Sequence, residues 1–519
     1  MFEIPVSEEI PHNYDVERAG TAVTRIPNAP LTEFGTYCAK LLHGGFVRKE
    51  MLETANRRFA AFEKDGTGVF VNYFPLTGEL QIVTEENSLY FSYADARGED
   101  IVSPLVTQVK LTDYGLSYVI RLTDGRFLVI DGGSYVQAEA DALFECLKAQ
   151  SPTEKPVIAG WIMTHPHSDH YYCFFPFMDS YADQIVVEKF FFNFPDPTDF
   201  VHYPPLEKPT VAFQNTTCSQ AMQLFLDKVA QVGAPVYTPH TGQRYMLGNV
   251  EVDFLATLDD SIHCSKNVNA TSLMFTTKIA GQTIFWGGDG SFSDTRLPYR
   301  YGTELKVDIL QVPHHGFGCG TDAAQVDGYR LMAPRVCLHP ASEGEAFTSF
   351  TTYREGTNYL MTRQGVEEWI TGKTQRTLEM PYDPSPSGAA ELRQRYAEGR
   401  DNCGARVWVY MDLNTGRPAD FQFSILNTTF LNADIAVELY FENMQRKIIR
   451  FRVAGLRRGV FAVNCAINAD DTETVRLTPE YLANKGIPVN TNFAVRFTSN
   501  IPVVISNRNH TAAYRSNVL

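Results

Sequence analysis

Thr164-His165-Pro166-His167-Ser168-Asp169-His170 is the stretch that decides the fold of this chain. It follows the apolar run 157–163 (VIAGWIM), which is typical of a buried strand. His165 and His167 are two positions apart, so an extended backbone directs both side chains to the same side, and Asp169 and His170 follow after the chain turns. Imidazole and carboxylate groups suit zinc, with manganese or iron as alternatives. The stretch therefore predicts a metal site at the end of a strand, rather than a histidine-rich surface loop.

The H-x-H-x-D-H pattern after a strand resembles the metallo-β-lactamase superfamily of binuclear metallohydrolases. The resemblance covers roughly residues 105–380. It implies an α/β fold, the αββα metallo-β-lactamase sandwich, and two divalent metal ions. An earlier strand ends in Asp131-Gly132-Gly133, and in the superfamily such an element lies beneath the metal site. We therefore expect Asp131 to support a ligand rather than to bind metal itself.

Further candidate ligands follow three later strands. Asp289 stands between glycines at the end of an apolar run, where a carboxylate can bridge two cations. We assign His315 to the metal held by His165 and His167, and His339 to the metal held by Asp169 and His170, although the order of His314 and His315 stays open. The predicted metal ligands are His165, His167, Asp169, His170, Asp289, His315 and His339.

Many superfamily members place a third histidine between the first cluster and the later aspartate. The candidates His202, His240 and His263 do not stand in the expected context. The series N-x-x-S-L from Asn269, G-D, and L-K-x-D-I-L-x-V-x-H-H-G is similar to one branch, the hydrolase domain of competence-type DNA-uptake proteins and bacterial phosphorylcholine esterases. That branch tends to lack the intervening histidine, and it implies action on phosphoesters.

The resemblance implies a hydrolase that uses a metal-bridging hydroxide, with Asp169 and His314 as catalytic residues. His314 would protonate the leaving group or bind a substrate oxygen. A phosphoester or phosphodiester is the favoured substrate, and a lactone, thioester or β-lactam is the alternative. A basic residue near the site, such as Lys306 or Arg296, would favour the phosphoester, whereas an apolar slot would favour acyl transfer. A third possibility is a non-enzymatic binding or scaffold protein that acts through its C-terminal domain.

Charge and composition narrow the partners. The 519 residues carry a formal net charge of −15, which favours a small-molecule substrate over a nucleic acid, because phosphate backbones need local positive charge. No apolar run is long enough to span a membrane, and the acidic start lacks the plan of a signal peptide. Nine cysteines without paired spacing favour a reduced, cytoplasmic protein.

Four segments are predicted outside and around the metal site. Residues 1–104 form an α+β extension, with a helix between 37 and 62, and either shape the mouth of the site or only cover an apolar face. Residues 105–380 are the catalytic domain and 381–400 a linker. Residues 401–519 alternate apolar and polar positions, as in an all-β sandwich. This last segment looks similar to the small sensory-rhodopsin transducer family, which implies a homo-oligomer.

Overall fold

The chain folds as a mixed α/β protein with several sheets, which confirms the predicted class. The structure is a computed structural model. It describes residues 14–18, 20–102, 104–109, 111–112, 115–197, 216–261, 268–316, 322–334, 336–340, 367–370, 409–412, 417–418, 421–441, 446–456, 458–463, 474–477 and 493–507. The predicted linker at 381–400 lies outside the described residues, as do His202 and His263.

The N-terminal sheet has six antiparallel strands in the order β1-β2-β6-β5-β4-β3. Helix α1, Leu31–His43, covers one face with its buried side chains. The strands are β1 Tyr14–Arg18, β2 Thr21–Ile26, β3 Val47–Glu53, β4 Arg58–Lys64, β5 Thr67–Phe74 and β6 Glu79–Glu85.

The helix predicted between residues 37 and 62 is wrong beyond His43. Gly45 takes a left-handed backbone conformation (φ 86°) after the helix, and the chain then forms the β3–β4 hairpin. Phe59 and Phe62 belong to two different apolar clusters on opposite faces of the sheet. Alternation of side chains along a strand produces that separation.

The second sheet carries the first half of the metal-site sequence. Strands β9, β10, β12 and β13 run parallel, and β7, β8 and β9 pair antiparallel. The strands are β7 Leu105–Gln108, β8 Ser117–Arg121, β9 Phe127–Asp131, β10 Val157–Ile162, β11 Val186–Val187, β12 Phe190–Phe191 and β13 Val236–Tyr237. The helices in this half are α2 Gln137–Gln150, α3 Ser168–Tyr171, α4 Phe174–Tyr181 and α5 Cys218–Val232.

The third sheet carries the later site residues. Its order is β14-β15-β16-β17-β18-β19-β20, with β17 to β20 parallel. The strands are β14 Arg244–Leu247, β15 Val250–Ala256, β16 Met274–Ile279, β17 Gln282–Trp286, β18 Ile309–Gln311, β19 Val336–His339 and β20 Glu367–Ile370. The helices are α6 Leu258–Ser261, α7 Leu297–Tyr301 and α8 Asp322–Met332.

The second and third sheets share one apolar core. Leu128 and Ile130 of β9 pack in the same buried cluster as Phe254, Trp286 and Ile309 of the third sheet. A separate cluster joins helices α2, α4 and α5 to the other face of the second sheet, and another joins α7 and α8 to the third. The strand ends that carry the site residues are therefore anchored in a common core.

Two further strands join the second sheet from beyond the predicted catalytic domain. Strand β21, Val409–Asp412, pairs antiparallel with β7, and β22, Arg417–Pro418, pairs with β21. These residues were assigned by sequence to the β-sandwich segment from 401. Their backbone hydrogen bonds are made with the second sheet, and the domain bounds stay a prediction.

The C-terminal segment forms a four-stranded and a three-stranded sheet, with orders β27-β26-β23-β29 and β25-β24-β28. Ile425 of the first sheet shares a buried cluster with Ile435, Val437 and Leu439 of the second. The strands are β23 Phe421–Leu426, β24 Ala433–Phe441, β25 Arg446–Val453, β26 Arg458–Val463, β27 Thr474–Leu477, β28 Phe493–Ser499 and β29 Val504–Asn507. Across the described chain, no helix combines the length and apolar character that crossing a membrane requires.

Buried ion pairs join the N-terminal sheet to the third sheet and its helix α7. Arg300 of α7 is fully buried and donates hydrogen bonds to Glu79 of β6 and, at 2.6 Å, to Asp260. Arg25 of β2 also binds Glu79, at 2.7 Å. Arg25 and Arg300 therefore hold Glu79 from different parts of the chain, so the N-terminal sheet packs firmly on α7 and the third sheet.

Candidate metal centre

The predicted site residues arrive where strands of the second and third sheets end. Asp131 is the last residue of β9, and the segment 164–170 follows β10. Asp289 follows β17, and His315 follows β18. Because β9 and β10 are parallel, as are β17 and β18, each pair of carboxyl ends meets at one edge of its sheet.

The side chains at these ends form two adjoining groups that could each hold a cation. Within each group, one ligand atom from every residue lies within 4.8 Å of the others, and Asp289 is common to both. One group consists of His165, His167 and Asp289; the other consists of Asp169, His170, Asp289 and His315. A carboxylate shared between two groups is the arrangement expected of a bridging ligand.

The distances around Asp289 describe how the two groups share it. Its Oδ1 lies 3.2 Å from Nε2 of His170, and its Oδ2 lies 3.7 Å from Nε2 of His165 and 3.4 Å from Nε2 of His315. Nε2 of His315 also lies 3.0 Å from Oδ2 of Asp169. Oδ1 of Asp289 therefore faces the imidazole of His170, and Oδ2 faces the imidazoles of His165 and His315.

Asp131 contacts Thr164 and His170 and lies outside both groups. Its Oδ2 lies 2.8 Å from Nδ1 of His170 and accepts a hydrogen bond of 2.6 Å from the hydroxyl of Thr164. Its Oδ1 accepts a 2.7 Å hydrogen bond from the Thr164 backbone N–H. With Nδ1 facing this carboxylate, the His170 ring directs Nε2 towards Asp289 and Asp169. Such a carboxylate fixes the orientation of a metal-binding imidazole and increases its basicity.

A divalent pair fits the residues that are present. Nε2 of His165 and Nε2 of His170 are buried and make no hydrogen bond, so two imidazole nitrogens point into the site without a hydrogen-bond partner. Asp131, Asp169 and Asp289 bring three carboxylates to this small volume. Buried carboxylates normally need cations as partners, and two divalent ions would supply them.

The pKa shifts agree with that fit. Burial alone would raise the pKa of the Asp289 carboxyl, but the His170 and His315 rings hold it well below its usual range. Burial lowers the pKa of His165, and the neighbouring His170 lowers it further, so that ring is neutral. Although burial opposes it, Asp289 and Asp169 raise the pKa of His315 to about 10. The Asp289 carboxyl group is therefore ionised, and the site attracts positive charge.

His314 and His315 take different positions in a strained turn. Both have left-handed backbone angles, φ 51° and φ 53°, and Gly316 follows with φ 79°. His315 is buried within the second group, whereas the His314 side chain is 23% exposed, and its Nε2 lies 4.0 Å from Asp289. Left-handed angles at two adjacent non-glycine residues cost on the order of 1–3 kcal/mol each. With these backbone angles, the two imidazole rings point in different directions.

Two predicted ligands are grouped differently in the structure from the sequence assignment. His315 was paired with His165 and His167, but it groups with Asp169 and His170, because its Nε2 faces Asp169. His339 was predicted to bind the second metal, but it belongs to neither group. Its Nε2 lies 3.1 Å from the carbonyl oxygen of His315, so the ring supports the turn that carries His315.

Among the described candidates for a third histidine, His240 also lies outside both groups. Its ring is fully buried between Asp259 and Glu85.

The two basic residues that could have identified a phosphoester site lie outside both groups. Arg296 is 47% exposed and pairs with Glu79 at 3.6 Å, and Lys306 precedes β18, whose opposite end leads to His314. Neither one supports the choice between phosphoester and acyl substrates.

Three residues that sequence reasoning did not place at the site hold its loops. The Gln311 side chain accepts from Gly287 N at 2.7 Å and donates to Gly288 O at 3.2 Å, which fixes the turn before Asp289. The hydroxyl of Ser272 accepts from Asp289 N at 3.1 Å, and Nδ2 of Asn269 lies 3.0 Å from Nε2 of His314. Asn269 and Ser272 belong to the N-x-x-S-L series, and Gln311 is a polar residue in an otherwise apolar strand.

Comparison with known families identifies part of this architecture. Residues 112–238 match the model of the metallo-beta-lactamase superfamily. This segment is a metallo-β-lactamase superfamily domain. The match includes the segment 164–170 and Asp131, whereas Asp289 and His315 lie beyond it and join the site through the geometry described above.

Solved structures give more distant likenesses, and no curated protein matches the chain significantly. The Anabaena sensory rhodopsin transducer is 20% identical over 17% of this chain and 71% of its own, with a TM-score of 0.12. CmlA from Streptomyces venezuelae, a diiron β-hydroxylase, and a point mutant of it are 11% identical over 54% of this chain, with a TM-score of 0.32. The match spans 55% of the CmlA chain. These values support no statement about metal, reaction or assembly.

Proposed function

We propose that this chain is a binuclear metal-dependent hydrolase whose substrate is a phosphoester or phosphodiester. The observation that carries the proposal is the sharing of Asp289 by two adjoining groups of metal-ligand side chains. In this proposal the layers around the site form the αββα sandwich of the superfamily. The C-terminal segment is a self-associating β-sandwich, and the protein acts in the cytoplasm.

Each protein group has a distinct part in the proposed centre. His165, His167 and Asp289 would hold one cation, and Asp169, His170 and His315 would hold the other together with Asp289. When bound, a pair of divalent ions supplies Lewis-acid chemistry that makes water nucleophilic at neutral pH and offsets charge on substrate oxygens. Zinc is the proposed metal, because imidazole and carboxylate are its usual non-thiolate ligands, and iron or manganese suits the same donors.

The chain's own groups orient the reaction. Asp131 holds the His170 ring through Nδ1, and the Ser272 hydroxyl holds the backbone N–H of Asp289. His314 is the partly exposed imidazole beside the bridging carboxylate, so it is placed to hydrogen-bond a substrate oxygen or to protonate the leaving group. Asn269 holds Nε2 of His314 on the side of the segment 268–271.

A phosphoester is preferred because of the similarity of the segments around Asn269, Asp289 and His315 to phosphoester-cleaving hydrolases. A lactone, thioester or β-lactam remains the alternative substrate class, since the same pair of cations would polarise an acyl carbonyl. A binding protein that acts through the C-terminal sheets is a weaker candidate. A set of metal-ligand side chains with buried imidazoles has no evident use in a scaffold.

Metal analysis combined with two substrate classes tests the proposal. Purified full-length protein is assayed for zinc, iron and manganese and then given bis-p-nitrophenyl phosphate, a chromogenic β-lactam and a chromogenic lactone. We expect metal in the shared centre and release of p-nitrophenol that EDTA abolishes and zinc restores. Metal with cleavage of the lactam or lactone alone would replace the phosphoester by the acyl substrate class. A protein that binds no metal and cleaves none of the three would overturn the proposal.

A further inference from the structure

A second histidine between two carboxylates lies outside the metal centre, where the N-terminal sheet meets the catalytic half. Nδ1 of His240 lies 2.6 Å from Oδ2 of Asp259, and Nε2 of His240 lies 3.6 Å from Oε1 of Glu85. Glu85 is the last residue of β6, and His240 precedes β14. His240 and Asp259 are fully buried, whereas the Glu85 side chain is 15% exposed.

This arrangement repeats the geometry of His170 in the metal centre. There, Nδ1 lies 2.8 Å from a carboxylate oxygen of Asp131, and Nε2 lies 3.6 Å from a carboxylate oxygen of Asp169. Histidines that bind metal usually have such a carboxylate on the far ring nitrogen, which sets the tautomer and the ring orientation. Asp259 is in the position to do this for His240, because it fixes Nδ1 and leaves Nε2 directed at Glu85.

The distance between His240 and Glu85 suits two ligands of one ion better than a hydrogen bond. An N–H···O hydrogen bond spans about 2.7–3.2 Å, which is shorter than the observed 3.6 Å. Two ligand atoms that each lie ~2.1 Å from a tetrahedral zinc ion are separated by roughly 3.4 Å. The two side chains are thus already placed at the spacing of a shared cation.

Nε2 of His240 has no other protein partner to explain its position. It is fully buried and makes no hydrogen bond in the described part of the chain. Buried polar atoms in proteins almost always have a partner, whether protein, water or ion. Glu85 and Asp259 also place two negative charges around one imidazole. A divalent cation would neutralise both charges, whereas a single proton would leave one uncompensated.

A cavity beside Glu85 has room for water. It has a volume of about 150 Å³ and is lined by Glu85 together with polar groups that include Asn87, Thr238 and Tyr237. Its walls come from both the N-terminal sheet region and the segment before His240. A cation held by two protein ligands needs water or further oxygens to complete its coordination, and the cavity on the Glu85 side has room for them.

We propose that Glu85 and His240 bind a third divalent cation of the zinc class, with Asp259 orienting the imidazole and water completing the coordination. The site is separate from the proposed hydrolytic centre and does not depend on it. Since Glu85 belongs to the N-terminal sheet and His240 to the catalytic half, the bound ion links the two. Because the site has two protein ligands, it binds its ion more weakly than the centre around Asp289.

Zinc stoichiometry and thermal stability test the site in the full-length protein. Protein stripped with a chelator is titrated with zinc chloride by isothermal calorimetry, and bound zinc is measured by elemental analysis after gel filtration. We expect the wild type to hold three equivalents, the last with the lowest affinity, and the melting temperature to rise again as the third equivalent binds. Glu85→Gln should hold two equivalents and lose that last rise. Glu86→Gln, a change at the exposed neighbour, should still hold three.

Variants of the two sites separate this inference from the proposed function. Asp289→Ala should lose zinc from the shared centre and keep the equivalent held by Glu85 and His240. If the wild type holds one equivalent that Glu85→Gln removes, the third site stands and the proposed binuclear centre fails. A wild type that saturates at two equivalents, both kept by Glu85→Gln, would overturn the third site. His240→Gln gives the same readout if Glu85→Gln does not fold, and the wild-type titration decides the stoichiometry without either variant.

Discussion

The Nδ1 atom of His170 lies 2.8 Å from Oδ2 of Asp131, a residue 39 positions earlier in the chain. The contact joins the end of β9 to the loop after β10, and it leaves Nε2 of His170 facing Asp289. The backbone secures the same contact, because the N–H groups of Gly132 and Gly133 both donate to the His170 carbonyl oxygen. Orientation of the ligand is thus built into the strand ends before any metal binds.

Replacing Asp131 should weaken metal binding without removing a ligand. In Asp131→Asn the His170 ring loses its charged partner, and Thr164 loses an acceptor of full negative charge. We expect zinc affinity to fall about 10–100-fold, the usual effect of changing a carboxylate that supports a metal-binding histidine. Competition with a chromogenic chelator measures the change. Asp183→Asn, at an exposed position, is the control and should bind zinc as the wild type does.

Asp289→Ala should affect both cation groups together, because both include this carboxylate. We expect loss of the metal bound at the shared centre and of hydrolytic activity, while the far-ultraviolet circular dichroism stays native. His165→Ala removes a ligand from one group only, so it should lose one equivalent from that centre. Retention of full activity and both metals by Asp289→Ala would contradict the bridging assignment.

His339 and His315 should behave differently, although sequence reasoning assigned both as ligands. His315→Ala should lose one metal equivalent, because Nε2 of His315 faces Asp169 and Asp289. His339→Gln should keep the metal content, since Nε2 of His339 lies against the backbone carbonyl of His315 and the ring belongs to neither cation group. Elemental analysis of the metal content of both variants shows which of the two histidines is a ligand. Loss of metal from His339→Gln with a native fold would restore the ligand role of His339.

His314→Gln should reduce kcat while the metal content stays that of the wild type. The His314 ring is partly exposed beside Asp289 and lies outside both cation groups. Loss of a general acid typically lowers the rate about 10²–10⁴-fold. Steady-state kinetics with the cleaved chromogenic ester measures kcat and KM, and His43→Gln, an exposed change on α1, is the control. An unchanged kcat would remove His314 from the reaction.

Glu79 should make stability depend on pH in the acid range. Burial alone would raise the pKa of Glu79, but Arg300 and Arg25 lower it to about 2 from 4.5. A carboxyl whose pKa is lower in the folded state contributes stability above its unfolded pKa. That contribution is therefore complete above pH 4.5 and is lost as the pH falls towards 2. The shift corresponds to roughly 3 kcal/mol.

Urea unfolding of the wild type and Glu79→Gln at pH 7, 4.5 and 3 measures this contribution. The variant should be less stable at pH 7, because Arg300 stays buried with one carboxylate fewer. The difference in the free energy of unfolding should narrow as the pH falls, since the wild-type carboxyl then becomes protonated. Glu154→Gln, at an exposed position, should show no such difference. If the free energies of unfolding of the wild type and Glu79→Gln differ by the same amount at all three pH values, the assigned pKa of Glu79 is contradicted.

The sequence by itself determined the ends of the strands and the chemistry placed there. Local periodicity indicates the buried strand before H-x-H-x-D-H, and glycines mark the turns next to Asp131 and Asp289. Both signals are properties of neighbouring positions in the chain. The mixed α/β class and the support of His170 by Asp131 could be predicted in this way. The helix expected between residues 37 and 62 failed, because apolar residues spaced for a helix also fit the two faces of a hairpin.

Only the tertiary structure decided which ligands meet. The choice between His314 and His315, the grouping of His315 with Asp169, and the removal of His339 depend on left-handed backbone angles and on contacts between separate strands. The pairing of His240 with Glu85, 155 positions apart, depends on how the N-terminal sheet docks on the catalytic half. A sequence pattern determines which side chains stand at the end of each strand. A metal site needs several strand ends within a few ångströms of one another, and only the packing of the sheets sets those distances.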